Sequence, residues 1–231
     1  MSSENVVLAV TGASGSIYAL RLIDAFLSAN RTVHLVISGA ARQVLLREME
    51  AELPATGADQ SSWRTAVASL LTGAIAQSWG FGTKKNSSVT PEKGVLKIHG
   101  LSDYSAGIAS GSFLTAGMVI CPCSMGTLSA IATGASTNLI HRAADVHLKE
   151  RRPLVLVPRE TPLSIIQLEN MTRVSHAGAT VLPSMPGFYH QPGSVADLVD
   201  FIVARICDHL HVPHSLMQRW GNSNETDAGD D

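Results

Sequence analysis

Residues 6–16 read V-V-L-A-V-T-G-A-S-G-S. A short apolar run stops at Thr11 and passes through Gly12 and Gly15. A pattern of helical period then begins at Ser16 and continues to Ser28. That order predicts a buried strand, a tight turn and a helix N-terminus. First-turn amides have no partner inside a helix and carry partial positive charge, so such a terminus binds anions. Glycine lets the backbone approach the anion closely, and Ser14 adds a hydroxyl. The alternative is a plain strand-to-helix turn with no ligand. Gly12, Gly15 and Ile17 do not fit G-x-G-x-x-G. The next strand, 32–38, ends at Ser38, where a dinucleotide site places Asp or Glu for the ribose. A mononucleotide such as FMN therefore fits better than NAD, and other phosphorylated ligands remain open.

Outward from this turn, apolar runs of strand length alternate with helical patterns. Strands are expected at 6–11, 33–38, 95–99, 118–121, 153–157 and 181–183, with 95–99 near an edge. Helices are expected at 16–28, 40–52, 62–79, 124–133, 138–151, 162–177 and 194–210. Pro54 stops the second helix, Ser124 is a natural N-cap, and Pro162 suits a first helical turn. Residues 83–94, rich in Lys, Ser, Asn and Pro, read as an exposed surface loop. Continuously apolar strands separated by helices imply a parallel sheet covered on both faces, with right-handed crossovers. The predicted class is α/β: a single-domain, Rossmann-like three-layer sandwich with a mostly parallel sheet. The domain spans 1–221, and an acidic tail, 222–231, is expected to be disordered.

A chain of 231 residues is long enough for one domain with a sizeable core. Its 45% apolar and only 16% charged residues fit either a surface hidden in an oligomer or a large monomeric core. Net charge is -2 and no basic stripe points to nucleic acid. No signal-peptide pattern and no apolar run long enough to span a bilayer is present, so the expected location is cytoplasmic. Cys121, Cys123 and Cys207 read as free thiols. The C-P-C at 121–123 lacks the C-x-x-C spacing and reads as two small buried residues at a strand end. His209, His211 and His214 lack a Cys or carboxylate at usable spacing, so no metal is expected.

In parallel α/β sheets, ligands sit outside the carboxyl ends of the strands. The segments falling there are 12–15, Ser38, 122–127, Arg159-Glu160 and 185–190. Several small or polar loops on one rim point to a site. Arg159 can fork onto phosphate or polarise a carbonyl. Glu160 can act as a general acid or base. The bland alternative for this pair is solvated surface. Arg142, Asp145 and Lys149 share one face of their helix, as an ion-pair ladder or as part of a cationic site.

Five segments carry a resemblance: T-G-A-S-G at 11–15, I-S-G-A-A-R at 37–42, C-P-C-S-M-G-T-L-S at 121–129, R-A-A-D-V-H-L-K-E-R-R-P-L-V-L-V-P-R-E-T-P at 142–162 and P-G-F-Y-H-Q-P at 186–192. Together they resemble the UbiX family of flavin prenyltransferases, over roughly residues 5 to 220. Flavin-dependent cysteine decarboxylases of the EpiD type share the fold, but the late loop G-F-Y-H-Q-P is similar to UbiX. The resemblance implies transfer of a five-carbon unit from dimethylallyl phosphate to N5 and then C6 of reduced FMN. Phosphate leaves, no metal is required, and the prenylated FMN serves a UbiD-type decarboxylase. It also implies a homo-oligomer, a dodecamer.

Carried over residue by residue, the resemblance implies that Gly12, Ala13 and Ser14 hold FMN, with Ser14 near the reacting centre. Ser38, Ser124, Met125, Gly126, Thr127 and Arg159 continue that site. Tyr189 and Arg205 bind the donor together with Arg142 and Lys149, and Glu160 transfers a proton. Glu48 matches a glutamate that reaches a neighbouring subunit's site. Trp220 matches an aromatic near the prenyl group, and Tyr104 stands where many relatives have Trp. Cations can neutralise a leaving phosphate, and aromatic faces can stabilise an allyl cation. An FMN-dependent decarboxylase of the EpiD type and a non-enzymatic FMN-binding module stay as alternatives.

Overall fold

The computed structural model of the chain describes residues 4–82 and 93–217. The strands are β1 (Asn5–Val10), β2 (Thr32–Ile37), β3 (Val95–His99), β4 (Gly117–Cys123), β5 (Leu154–Pro158) and β6 (Thr180–Val181). They form one sheet in the order β3-β2-β1-β4-β5-β6. Every pairing in it is parallel. β3 lies at an edge, as its sequence implies. The helices are α1 (Ser16–Ser28), α2 (Gly39–Met49), α3 (Gln60–Thr72), α4 (Ala74–Ser78), α5 (Met125–Ala132), α6 (Leu139–Lys149), α7 (Ile165–His176) and α8 (Val195–His209).

Strand residues alternate between two cores because successive side chains leave opposite faces of a strand. Val6, Leu8 and Val10 pack with α1, α2, α3 and α8, whereas Val7 and Ala9 pack with α5, α6 and α7. Both faces are covered, which is why the central strands read as unbroken apolar runs. The three-layer α/β expectation therefore holds. The strand order reverses between β1 and β4. That switch point opens a crevice at the strand carboxyl ends.

Several boundaries differ from the sequence expectation. The helix expected over 62–79 is two helices, broken where Gly73 is extended (φ -69°, ψ 166°). The first of them starts earlier, because Asp59 accepts the Ser62 amide as an N-cap. The helix expected from Pro162 starts at Ile165, because Ser164 and Gln167 form a capping box. Ser38 caps α2 and so stands outside it. Residues 83–92, most of the expected 83–94 loop, and the tail 222–231 lie outside the described residues.

Buried polar groups tie the layers together. Arg21 on α1 donates from Nε to Asp200 Oδ1 at 2.7 Å and from Nη1 to Asp24 Oδ2 at 2.6 Å. Asp200 belongs to α8, so this cluster joins two helices of one layer. On β2, His34 Nε2 meets Asn5 Oδ1 at 3.2 Å and its Nδ1 meets His99 Nε2 at 2.9 Å. Asn5 Nδ2 donates to the Leu114 carbonyl, which fixes Oδ1 as the acceptor and places the His34 proton on Nε2. His147 bonds Thr115 Oγ1 and the Ala143 carbonyl.

Burial, with the neighbouring His99 and Lys97, lowers His34 to about 4. Burial, with Arg152 nearby and against the Ala143 bond, lowers His147 to about 4. An unfolded histidine titrates near 6.5, so between about 4 and 6.5 the unfolded chain binds more protons. Stability is then complete above about pH 6.5 and is lost as pH falls toward 4, by about 3 kcal/mol per histidine. Urea midpoints at pH 7, 5.5 and 4.5 check this. A flat profile counts against it.

Candidate active site

The β1–α1 turn stands on the carboxyl rim of the sheet. Thr11 Oγ1 donates to the Pro122 carbonyl at 3.0 Å and accepts the Ser124 amide at 2.7 Å. One hydroxyl thus ties the turns after β1 and β4 across the switch point. A Cβ on Gly12 would come within 2.6 Å of Ala40 Cβ, so only glycine lets α2 approach here. Gly15 has φ +116°, a left-handed conformation that glycine adopts at little cost.

The N-terminus of α1 is taken by a side chain of the same protein. Glu48 Oε1 accepts the Gly15 amide at 3.0 Å and Oε2 accepts the Ser16 amide at 2.8 Å. Burial raises the Glu48 pKa, but hydrogen bonds from Ser14, Ser16 and Gly15 outweigh it and hold the carboxylate below its ordinary range. At the N-terminus of α1 a carboxylate of the same chain thus fills the place that an anion would take. Within this chain Glu48 faces its own rim.

Free amides lie at two other termini. Ser38 accepts the Ala41 amide, leaving those of Gly39 and Ala40 without a partner among the described residues. Ser124 accepts the Thr127 amide and donates to Thr127 Oγ1 at 3.1 Å, leaving those of Met125 and Gly126 likewise. Both termini open on the rim, with Ala13 and Ser14 between them. Arg159 and Glu160 follow β5 on the same rim, and both are exposed. Glu160 Oε1 accepts the Thr161 amide at 3.2 Å.

Tyr189 packs against α8, the helix that carries Arg205. The Tyr189 ring meets Phe201 edge-on at 5.8 Å, and Arg205 lies one turn further on the same helix face. Arg205 Nη1 donates to Asp208 Oδ2 at 3.4 Å. Tyr104 is half exposed in the loop after β3.

Lys149 does not join this rim within one chain. In a parallel α/β unit, the helix before a strand ends at the strand's starting edge. α6 ends at Lys149 just before β5, so Lys149 stands at the opposite edge of the sheet. Lys149 pairs with Glu150, and both crowd Gly111, in the segment leading into β4. Arg142 Nε donates to the Ala109 carbonyl at 3.0 Å. Trp220 lies outside the described residues.

A flavoprotein family model matches residues 1–207. The flavin prenyltransferase UbiX of Pseudomonas aeruginosa is 49% identical over 221 residues, covering 96% of each chain. The chain belongs to the UbiX family of flavin prenyltransferases. A crystal structure of AnUbiX (PadA1) in complex with FMN and dimethylallyl pyrophosphate superposes with a TM-score of 0.75. It is 35% identical and covers 96% of this chain and 100% of its own. A dodecameric FMN-dependent UbiX-like decarboxylase from Escherichia coli O157:H7 gives 0.71 at 36% identity, covering 91% and 96%.

This UbiX-family rim fits a flavin mononucleotide on its own geometry. The close Gly12–Ala40 approach shapes the turn, and two helix N-termini offer unpaired amides beside the Ser38, Ser124 and Thr127 hydroxyls. Sequence reasoning missed Thr11, whose hydroxyl joins the turns. It also missed Arg152, which donates to the Phe113 carbonyl at 2.7 Å and to the Gly111 carbonyl. A hydroxyl at a strand end was the available signal for Thr11. Nothing local marks Arg152, because its partners are about forty residues away in sequence.

The three cysteines are buried and free, and burial pushes the Cys123 and Cys207 thiols up to about 12. Among the described residues no group of three or more His, Cys, Asp or Glu could hold a metal ion. No described helix is long and apolar enough to cross a membrane.

Proposed function

We propose that this chain transfers a dimethylallyl group from dimethylallyl phosphate to N5 and C6 of reduced FMN, releasing phosphate. The prenylated FMN would pass to a UbiD-type decarboxylase. The observation that carries the reading is the rim at the switch point: two unpaired helix N-termini flank the Gly12–Ala13–Ser14 turn, with Arg159 and Glu160 alongside. Similarity to flavin prenyltransferases over nearly the full length supports it.

When bound, reduced FMN supplies the nucleophilic nitrogen and carbon. The chain's own residues do the rest. The amides of Gly39, Ala40, Met125 and Gly126, with the Ser38, Ser124 and Thr127 hydroxyls, hold its phosphate. Gly12, Ala13 and Ser14 seat the ring, with Glu48 holding that turn in place, and Arg159 closes the site. Tyr189 and Arg205 hold the donor phosphate, and the positive charge of Arg205 matters most as the bond to it breaks. Glu160 moves a proton. Tyr104 and Trp220 offer aromatic faces to the allyl cation and help to keep water out.

Lys149 stands at the far edge of the sheet, so with Arg142 of the same helix it would serve the donor phosphate of a neighbouring copy. The assembly is a homo-oligomer, a dodecamer like the E. coli relative. Exposed Ile165, Ile166, Leu168, Met185 and Phe188 give it apolar surface to bury. The protein works in the cytoplasm as one domain over 1–221.

The test is anaerobic incubation with reduced FMN and dimethylallyl phosphate, followed by mass spectrometry of the released flavin. A flavin heavier by one five-carbon unit is expected. Unmodified FMN from a protein that binds it, with the diphosphate donor also tried, overturns the assignment.

A further inference from the structure

His190, beside Tyr189 in the loop after β6, has no task in the reaction described so far. Its ring nitrogens Nδ1 and Nε2 are both shut off from solvent, and neither has a hydrogen-bond partner. The ring stacks on Phe201 of α8 with centroids 5.4 Å apart and planes 15° from parallel. It meets Tyr189 edge-on at 5.9 Å. Tyr189, His190 and Phe201 therefore close on one another where the loop meets α8, one helical turn before Arg205.

Stacking explains a ring at this position but not its nitrogens. A phenylalanine would pack there without polar atoms to satisfy. Buried polar side-chain atoms are seldom left unpaired, because losing water without gaining a partner costs free energy. A neutral imidazole carries one N–H donor and one acceptor. Among the described residues, Arg31 Nε is the other such orphan, but that guanidinium has a further bond to the His211 carbonyl. His190 leaves every polar side-chain atom unpaired. Beside it lies the Tyr189 phenol, and one helical turn beyond Phe201 stands the Arg205 guanidinium, both suited to an oxyanion.

We propose that His190 is a further ligand of the donor phosphate, joining Tyr189 and Arg205 of the same chain. A ring N–H donates to a phosphate oxygen when the loop seats on the donor, and stacking on Phe201 aims the ring. This rests on the donor-site assignment of Tyr189 and Arg205 made above. The group recognised is the phosphate end of an allyl phosphate, not its apolar tail, so inorganic phosphate is a usable probe.

The deciding variant is His190→Phe, which keeps the three-ring cluster and removes the nitrogens. The expected result is a donor KM raised about tenfold, with kcat and FMN affinity unchanged, in line with the loss of one hydrogen bond to a charged group. The melting temperature of the ligand-free protein should stay level or rise. Inorganic phosphate should stabilise the wild type more than the variant. His190→Gln, which keeps an N–H donor, should recover part of the KM and carries the test if the phenylalanine variant folds poorly. An unchanged donor KM with equal phosphate stabilisation in both proteins overturns the proposal. Wild type that makes no heavier flavin overturns the prenyltransferase assignment instead, and the phosphate-dependent melting shift then still decides the role of His190.

Discussion

Glu160→Gln is expected to keep FMN bound while prenyl transfer slows by about 10²–10⁴-fold, the usual contribution of a positioned acid or base. Glutamine has nearly the same shape. Its carbonyl oxygen can still accept the Thr161 amide that Glu160 Oε1 accepts now. The rim beside Arg159 should therefore hold, and what disappears is the capacity to exchange a proton. Titration of flavin absorbance reads the binding, and single-turnover mass spectrometry reads the transfer. Loss of FMN in the variant would show that Glu160 shapes the site. Undiminished transfer would remove it from proton chemistry altogether.

The largest effect on stability is expected from Arg21→Met. The guanidinium reaches Asp200 through Nε and Nη2 and Asp24 through Nη1, and all three side chains are buried. Burial raises the Asp200 carboxyl, and Arg21 is the main influence pulling it back. Without Arg21, two buried carboxylates lose the guanidinium that pairs with both. Breaking a buried ion cluster from one side costs about 3–5 kcal/mol. Urea denaturation measures it. The triple variant Arg21→Met, Asp24→Leu, Asp200→Leu should regain most of the loss, because no charge is then stranded. A single variant as stable as wild type would mean that water or a rearranged helix reaches the carboxylates.

The parallel sheet was legible because its strands are apolar on both faces, a pattern that local sequence displays directly. The β1 turn was legible for a similar reason: Gly12 and Gly15 mark a close approach and a left-handed backbone that few residues tolerate. Boundaries were less legible where two local signals competed. Pro162 suggested a helix start, but Ser164 and Gln167 form the cap that wins. Gly73 was a break hidden inside a convincing helical period.

The candidate site was legible as residue types at strand ends, and not as an arrangement. That Glu48 fills the N-terminus of α1 depends on how α2 packs across the turn. The separation of Lys149 from the rim follows from the direction of α6 in the finished sheet, which the spacing of Arg142, Asp145 and Lys149 does not encode. The orphan nitrogens of His190 exist only because a loop and α8 fold together around them.

The placement of the cations also bears on inheritance. On the proposed assignment, the flavin-facing rim and Lys149 occupy opposite edges of the sheet, so each copy carries two half-sites that serve different partners. A lesion at one edge spoils one half and spares the other. Two alleles damaged at opposite edges are then complementary: co-assembled, they form some doubly damaged sites and some that are whole.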